Sequence, residues 1–561
     1  MLGVFFHGTN PCRGFSKVKV AELVVRCLEN EDVAYIFGLP GEENLHVMDA
    51  LADSSIEFVL TRHEQGAAFM ADVYGRLSGK AGVCLATLGP GATNLVTGIA
   101  DANLDRAPLV AITGQASLDK FHKESHQFID TVSLFQPVTK WNTRIMLPEV
   151  TAEAVRKAFK VAQTEKPGAT HIELPEDVAS REVDGCEPLL AQFPYRTEPL
   201  EHQVKRAVKI ISEAKYPMML VGNGAIRTRA SAAVREFAEK LNIPVAETFM
   251  GKGVISDDSP YSLRTVGLQV RDYVSCGFDR ADVVITVGYD LVEYAPANWN
   301  PNKDKKIVHI DTCPAEVDQH YIVAVGVLGD ISLSLREIAD RATPSGANYT
   351  KKLRQYIVRE FEDYRDDTSF PIKPQKILYD LRQVLRADDI VVSDVGAHKI
   401  WVARVFPCYE PNTCIISNGF ASMGIGLPGA VAAKLLYPEK RVVTVSGDGG
   451  FLMNAQELET AVRLNVPVVA LVFSDNTYGL IELKQMREFG RSTQIHFENP
   501  DFVQFARSFG AAGYRVEGAD ELRDILEEAL SLDRPAVIDC PVDYSENLSL
   551  MERLGSLICP V

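Results

Sequence analysis

The amino-acid sequence predicts an α/β protein of three domains, each built on a mostly parallel sheet flanked by helices. Three observations predict it. At 561 residues the chain is too long for one hydrophobic core, and a domain typically takes roughly 100–200 residues. Short, apolar, β-branched runs alternate with helix-length segments in three successive blocks, the pattern of buried parallel strands joined by helical crossovers. Two polar, proline-containing stretches, "EPLLAQFPYRTEPLEHQ" and "RATPSGANYTKK", separate the blocks.

The elements follow in order. Residues 1–16 lack periodicity and are expected to be loosely ordered. In the first block, 17–185, "VAYIFGLPG", "IEFVLTRHE", "GVCLATLGPGATN" and "APLVAITGQ" read as strands running into polar or glycine-rich loops, with a helix over 65–77. The second block, 186–345, has strands in "PMMLVGNGA", "IPVAETF", "ADVVITVGYDLVEY" and "KIVHIDTCPAEVD". The third, 346–561, contains "VVTVSGDGGFLMNAQELETAVRLNVPVVALVFSDNTYGL" from 442 to 480. There, 442–445 is a strand too short and β-branched for a helix, and 466–473 is the next. Asn454 and Glu457 have the spacing of a capping box, which starts a helix reaching about Leu464. The loops after both strands open on one edge of a parallel sheet, where ligands bind in open α/β folds. Asp448 and Asp475 are therefore expected side by side.

Composition narrows the function classes. Hydrophobic residues make up 46% and charged residues 24%, ordinary for a water-soluble globular chain. A formal net charge of −17 argues against nucleic acid or an anionic membrane as principal partner. No apolar run approaches the ~18 residues of a membrane span. The opening "MLGVFF" has neither a basic n-region nor a sufficient apolar core for a signal peptide, so a cytoplasmic protein is expected. The ten cysteines show no C-x-x-C pairing and read as small buried hydrophobes, not as disulfides or a zinc site.

Two acidic side chains beside a glycine-rich turn suit a hard divalent cation that also holds phosphate oxygens, because Mg²⁺ takes oxygen ligands and commonly only one or two carboxylates. Gly447, Gly449 and Gly450 allow backbone to approach phosphates without a Cβ. Taken alone, a G-D-G triplet is equally a tight turn next to a solvated acidic loop. Glu64 opens a helix after a strand in "FVLTRHEQGAAFMADVYGR"; alone, it is equally a first-turn residue complementing the helix dipole.

Together, "GLPGEEN", "RHEQGAAF", "LGPGATN", "GDGG" and "SDN", in that order, resemble the thiamine-diphosphate-dependent enzymes, and within them the acetolactate synthase group, over nearly the whole chain. "SGDGGFL", "ELETAVRL", "GYDLVEY" and "PVDYSEN" are most similar to the catabolic, FAD-independent type. The resemblance implies the fold of those enzymes: a pyrimidine-binding domain at 17–185, a central Rossmann-like domain at 186–345 and a diphosphate-binding domain at 346–561 with a C-terminal tail. It implies that Glu64 hydrogen-bonds the cofactor's aminopyrimidine and drives its imino tautomer. Asp448 matches the first Mg²⁺ ligand. Where the motif usually ends Asn-Asn the chain reads Ser474-Asp475, so Asp475 takes the second ligand position, and Thr477 would add a backbone carbonyl. Tyr478 follows in the same cofactor loop.

Other positions carry over with less specific motifs. Gly396, Ala397 and His398 match a diphosphate-binding loop; His398 either donates to phosphate or is a buried structural histidine. Met423 matches the apolar residue that wedges the cofactor into its bent form, a role physically close to that of any core methionine. His126 and Gln127 match the substrate side, with Gln127 in a catalytic position, and Gly89 lies where backbone approaches the cofactor. The implied reaction decarboxylates pyruvate and ligates the hydroxyethyl unit to a second pyruvate, giving 2-acetolactate and CO₂. In this family Glu64 and Asp448 serve one site from opposite subunits, implying a homodimer at minimum and a homotetramer as the expected assembly. Biosynthetic relatives hold FAD through a "GARFDDR"-like segment. Here residues 287–300 read "VGYDLVEYAPANWN" without its arginine, so FAD is not expected. Alternative readings are another thiamine-diphosphate-dependent 2-oxo acid decarboxylase or carboligase, a binding protein that has lost catalysis, and a nucleotide-binding oxidoreductase, the last lacking a dinucleotide fingerprint.

Overall fold

The structure, a computed structural model, describes residues 17–192, 196–267, 273–346 and 348–547. The segment 1–16 therefore lies outside the described residues. Three six-stranded sheets form in succession, and every strand pairing within them is parallel. The first runs Glu57–Leu60, Tyr35–Gly38, Gly82–Ala86, Leu109–Gln115, Ala169–Pro175, Trp141–Arg144 from edge to edge. The second runs Ser262–Thr265, Val245–Glu247, Pro217–Val221, Val283–Val287, Lys306–Asp311, Val323–Leu328. The third runs Cys414–Ile416, Ile390–Ser393, Val442–Gly447, Val469–Ser474, Ala536–Pro541, Ala512–Arg515. The fold class expected from the sequence is the one observed.

Each sheet has a switch point, where the chain winds first to one side and then to the other. Loops leaving adjacent strands diverge there and open a crevice beyond the strand ends. The crevices lie between Tyr35–Gly38 and Gly82–Ala86, between Pro217–Val221 and Val283–Val287, and between Ile390–Ser393 and Val442–Gly447.

The first and third domains share one core. Helix Glu64–Ser78 packs against Gly89–Leu104 of its own domain and against Gly426–Leu436 of the third. The last helix, "GLPGAVAAKLL", is apolar almost all round, as a helix buried between two layers must be. Phe69, Val73, Ala430 and Val431 meet in that core and are fully buried. Helix Lys351–Glu362, C-terminal to the second linker, lays Leu353 and Ile357 on the middle domain.

Two expectations need correction. The capping box does not form: Asn454 donates its side-chain N–H to the Gly424 carbonyl (3.0 Å), and helix Glu457–Arg463 begins at Gln456 without a side-chain cap. Glu457 is drawn away by backbone donors of another domain, described below. Cys276 is disulfide-bonded, against the reading of all cysteines as free thiols. Cys27, Cys84, Cys186, Cys313, Cys408, Cys414 and Cys540 are free, as expected.

A buried ion cluster joins the two domains. Arg76, on helix Glu64–Ser78, donates to Asp72 (2.6 and 3.0 Å) and reaches Asp101 at 2.9 Å and Asp105 at 2.8 Å. All three aspartates are 0% exposed. Burial and the neighbouring Asp105 and Asp72 push the Asp101 carboxyl well above its usual range, against the pull of the Arg76 cation. The remaining carboxylate oxygens grip the third domain: Asp105 accepts the Asn418, Gly419 and Phe420 N–H groups, and Asp101 accepts from Ser422 N–H and Ser417 Oγ. Removing one partner of a buried ion pair costs about 3–5 kcal/mol. Arg76→Met is expected to lower stability by that amount in denaturant titration and to weaken the docking of residues 417–422. A loss under about 1 kcal/mol, within the range of surface substitutions, would show that the cluster does not hold the domains.

Candidate active site

The crevice of the third sheet gathers most of the residues singled out from sequence. Asp394 leaves strand Ile390–Ser393 and is fully buried. Its carboxylate accepts N–H groups of Val395 (2.5 Å), Gly424 (2.9 Å) and Gly426 (3.2 Å), fixing the loop that carries Met423. Burial pushes its pKa up to about 6 against these donors. Met423 is half-buried beside Gly424, whose φ of +91° belongs to the left-handed region. Gly396 caps helix Ala397–Val405, and Ala397 is buried in its first turn. His398 is 2% exposed, packed edge-on to Phe473 with ring centres 6.3 Å apart. Burial drives its pKa down to about 3, so the imidazole is neutral. Its Nε2 is buried and meets no hydrogen-bond partner among the described residues.

Across the crevice, strand Val442–Gly447 ends at Asp448, the first residue of the short helix Asp448–Phe451. The Asp448 carboxylate accepts Asp475 N–H (3.0 Å), Asn476 N–H (2.8 Å) and Asn499 Nδ2 (2.7 Å) on Oδ2, and on Oδ1 only Gly449 N–H (2.8 Å). The two acidic residues expected side by side are thus tied directly. Burial first, and then the charge of Asp448, push Asp475 up to about 7. Among the described residues no group of three or more His, Cys, Asp or Glu side chains gathers as a metal site. A cation here would rest on two carboxylates completed by backbone and external oxygens, the Mg²⁺ pattern. The buried like-charged pair and the orphaned His398 nitrogen both fit a bound cation and diphosphate. Thr477 is buried, its Oγ1 bonded to His496 Nδ1 at 2.5 Å. Tyr478 packs on Phe497 and stands over Gly449, where a Cβ would come within 2.7 Å of its ring. Gly447 and Gly450 are at the same turn, Gly450 against Asp394.

On the first domain, Glu64 begins helix Glu64–Ser78, with His63 as N-cap through its ring nitrogen. Asn94 Nδ2 donates to Glu64 Oε2 at 2.9 Å, and a Cβ at Gly91 would lie 3.3 Å from Oε1. The loop before Glu64 is pinned by Glu457, whose carboxylate accepts the Arg62 and His63 N–H groups at 3.0–3.2 Å and the Thr460 hydroxyl at 2.7 Å. Burial holds Glu457 up to about 7. Gly89 has φ +44° and sits against Gln127: a Cβ would be 2.5 Å from the Gln127 carbonyl oxygen. The partner demanding glycine there is the chain's own backbone. His126 and Gln127 are exposed.

Asn94, Asp394, Glu457 and Asn499 were missed by sequence reading. Asp394 had a signal, an aspartate just after the apolar, β-branched run "IVV", which was not read as a strand; Glu457 was read only as half of a capping box, and Asn94 and Asn499 had no signal beyond a polar side chain near a motif.

The crevice of the middle sheet is differently furnished. Glu293 is fully buried, its carboxylate accepting the Asn223 N–H (3.0 and 3.2 Å), the Asp290 N–H (3.1 Å) and the Thr248 hydroxyl (2.5 Å). A Cβ at Gly222 would lie 2.6 Å from it. This internal carboxylate occupies the helix N-terminus where a dinucleotide phosphate sits in folds of this kind. Asp290 is not a free negative charge, since it pairs with Lys166 and lies 3.7 Å from Arg106. Arg227 pairs with Glu165, and Arg271 lies outside the described residues.

Known proteins match along the same lines. Models of the thiamine pyrophosphate enzyme N-terminal TPP binding domain, central domain and C-terminal TPP binding domain match residues 18–134, 204–338 and 394–540. An acetolactate synthase of Bacillus subtilis (strain 168) is 38% identical over 97% of this chain and 96% of its own. A probable acetolactate synthase large subunit of Methanocaldococcus jannaschii is 37% identical over 97% and 96%. A catabolic acetolactate synthase of Raoultella terrigena is 35% identical over 95% and 97%. With three domain models in register with three sheets and relatives of this similarity along the whole length, the chain belongs to the thiamine pyrophosphate enzymes, in the acetolactate synthase family.

Proposed function

We propose that the chain decarboxylates pyruvate with thiamine diphosphate and Mg²⁺ and ligates the resulting two-carbon unit to a second pyruvate, releasing 2-acetolactate and CO₂. The observation that carries this reading is the Asp448–Asp475 pair at the switch point of the third sheet, beside glycines and an orphaned buried imidazole. Bound thiamine diphosphate supplies the electron sink that lets a 2-oxo acid lose CO₂ and attack a carbonyl.

In this reading Asp448 and Asp475 hold Mg²⁺, with the Thr477 carbonyl as a further ligand. Gly447, Gly449, Gly450, Gly396 and Ala397 form the turns that would meet the diphosphate, the glycines making room there for His398, Tyr478 and Asp394. His398, buried with no partner for Nε2 among the described residues, is the side chain that would face the diphosphate. Met423, held by the Asp394 lattice, supplies an apolar shoulder, and Tyr478 flanks the turn. Glu64 holds or moves the proton at the pyrimidine, oriented by Asn94. Gln127 and His126 face the substrate from an open loop. Glu293 disfavours FAD in the middle domain, because it takes the first N–H of helix Asn223–Arg227 and places a buried carboxylate where a diphosphate would lie. The expected location is the cytoplasm, and no helix among the described residues is long and apolar enough to cross a membrane. We read the assembly as a homodimer or homotetramer, a reading supported by the exposed side chains of Phe420, Met453, Ile481 and Phe489 on the third domain.

The direct test is product analysis from pyruvate with thiamine diphosphate and Mg²⁺ and without added FAD. Acetolactate is expected; free aldehyde as sole product would favour a simple decarboxylase, and a requirement for FAD would overturn the flavin-free reading. In the same assay Glu64→Gln is expected to slow turnover by ~10²–10⁴-fold with cofactor binding retained, the range of general acid–base contributions. Near-normal turnover would remove Glu64 from the mechanism. Asp448→Ala is expected to abolish Mg²⁺-dependent retention of thiamine diphosphate on gel filtration, while Asp475→Asn, which keeps an oxygen ligand, retains part of it. Equal loss in both would show that charge at 475, and not an oxygen donor, is what matters.

A further inference from the structure

Arg144 ends the edge strand Trp141–Arg144 of the first sheet, in register with Glu173 on Ala169–Pro175. Glu173 is 0% exposed, and its carboxylate is bonded by Arg144, by the Thr131 hydroxyl and by Gln115 Nε2 (3.1 Å). The same guanidinium lies 3.6 Å from the Asp130 carboxylate and 4.3 Å from the centre of the Phe121 ring. Phe121 packs on Phe128, ring centres 4.8 Å apart. Gln115 also donates to the Ile129 carbonyl at 3.0 Å. Both ends of the segment 121–130 are therefore tied, through one arginine, to one buried carboxylate. Between them stands Gln127 at φ +55°, a left-handed conformation that a non-glycine residue keeps only where its surroundings impose it.

We propose that Arg144 is a positioning residue: it anchors the loop 121–130 so that His126 and Gln127 are presented to substrate in one conformation. The inference rests on the proposed reaction for its kinetic consequence, though not for the anchor itself. A planar guanidinium suits the task because it bonds Glu173 through two nitrogens while stacking on Phe121, which an ammonium cannot do. The mechanism needs nothing of Arg144 chemically. Its effect is geometric, and small misplacements of binding groups cost up to ~10²-fold in rate.

The test compares Arg144→Lys and Arg144→Met with the unaltered protein by amide hydrogen exchange and steady-state kinetics. Arg144→Lys, which keeps a cation beside Glu173, guards against simple failure to fold. Both variants are expected to exchange about tenfold faster within 118–130 and not in helix Glu64–Ser78, in line with local opening. KM for pyruvate is expected to rise by about tenfold while the thiamine diphosphate Kd changes less than about twofold, the split of a lost positioning contact remote from the cofactor. Unchanged exchange in 118–130 overturns the anchor. Faster exchange with unchanged KM overturns its positioning role. Exchange is read without substrate, so if the unaltered chain makes no acetolactate, the reaction proposed above fails while exchange still decides the anchor.

Discussion

The structure depends on one buried guanidinium. Arg76 takes three carboxylates of the first domain, and the oxygens left over on Asp101 and Asp105 hold five donors of residues 417–422 in the third. Without a cation at their centre, three buried aspartates this close could not all remain ionised and accept those N–H groups. The loop they hold runs straight into Met423, Gly424 and the donors to Asp394. Domain docking and the shape of the cofactor crevice are thus set by the same charges. Glu457 repeats the device in reverse, a carboxylate of the third domain gripping backbone N–H groups beside Glu64 in the first.

Three sheets of similar winding put three switch-point crevices in one chain, and their furnishing separates their uses. The third crevice presents orphaned or like-charged polar groups: His398 Nε2 with no partner among the described residues, and Asp475 raised by burial and then by its neighbour Asp448. Such groups are costly unless a ligand completes them. In the middle crevice Glu293 takes the first N–H of helix Asn223–Arg227, and the Gly288 carbonyl takes the second. A side chain that answers the helix dipole internally removes the reason for an external phosphate to bind there.

Much of the candidate site was legible because it is local. Asp448 and Asp475 each follow a β-branched run, and the end of a strand in a parallel sheet is a place that sequence can point to. Glu64 at the head of a helix was visible for the same reason. Glu457 shows the limit. Its spacing from Asn454 satisfies the capping-box pattern, yet both side chains find better partners far along the chain: Gly424 for Asn454, Arg62 and His63 for Glu457. Asn94 and Asn499 are recognisable only by what they touch, Glu64 and Asp448. In the segment 287–300, Asp290 is paired with Lys166 of the first domain, a pairing that no local pattern announces.

By itself, the sequence determined the class of fold, the order of strands and helices, and which loops carry glycines and carboxylates, because these follow from periodicity and backbone sterics within a few residues. Tertiary structure alone decided which of those loops meet, which carboxylates are paired with a cationic side chain and which face another carboxylate, and which glycines lie against their own chain, as Gly89 lies against Gln127. The physical reason is that desolvation and charge pairing act through space: the state of Asp101, Asp475 or Glu457 is set by groups brought within a few ångströms from distant parts of the chain.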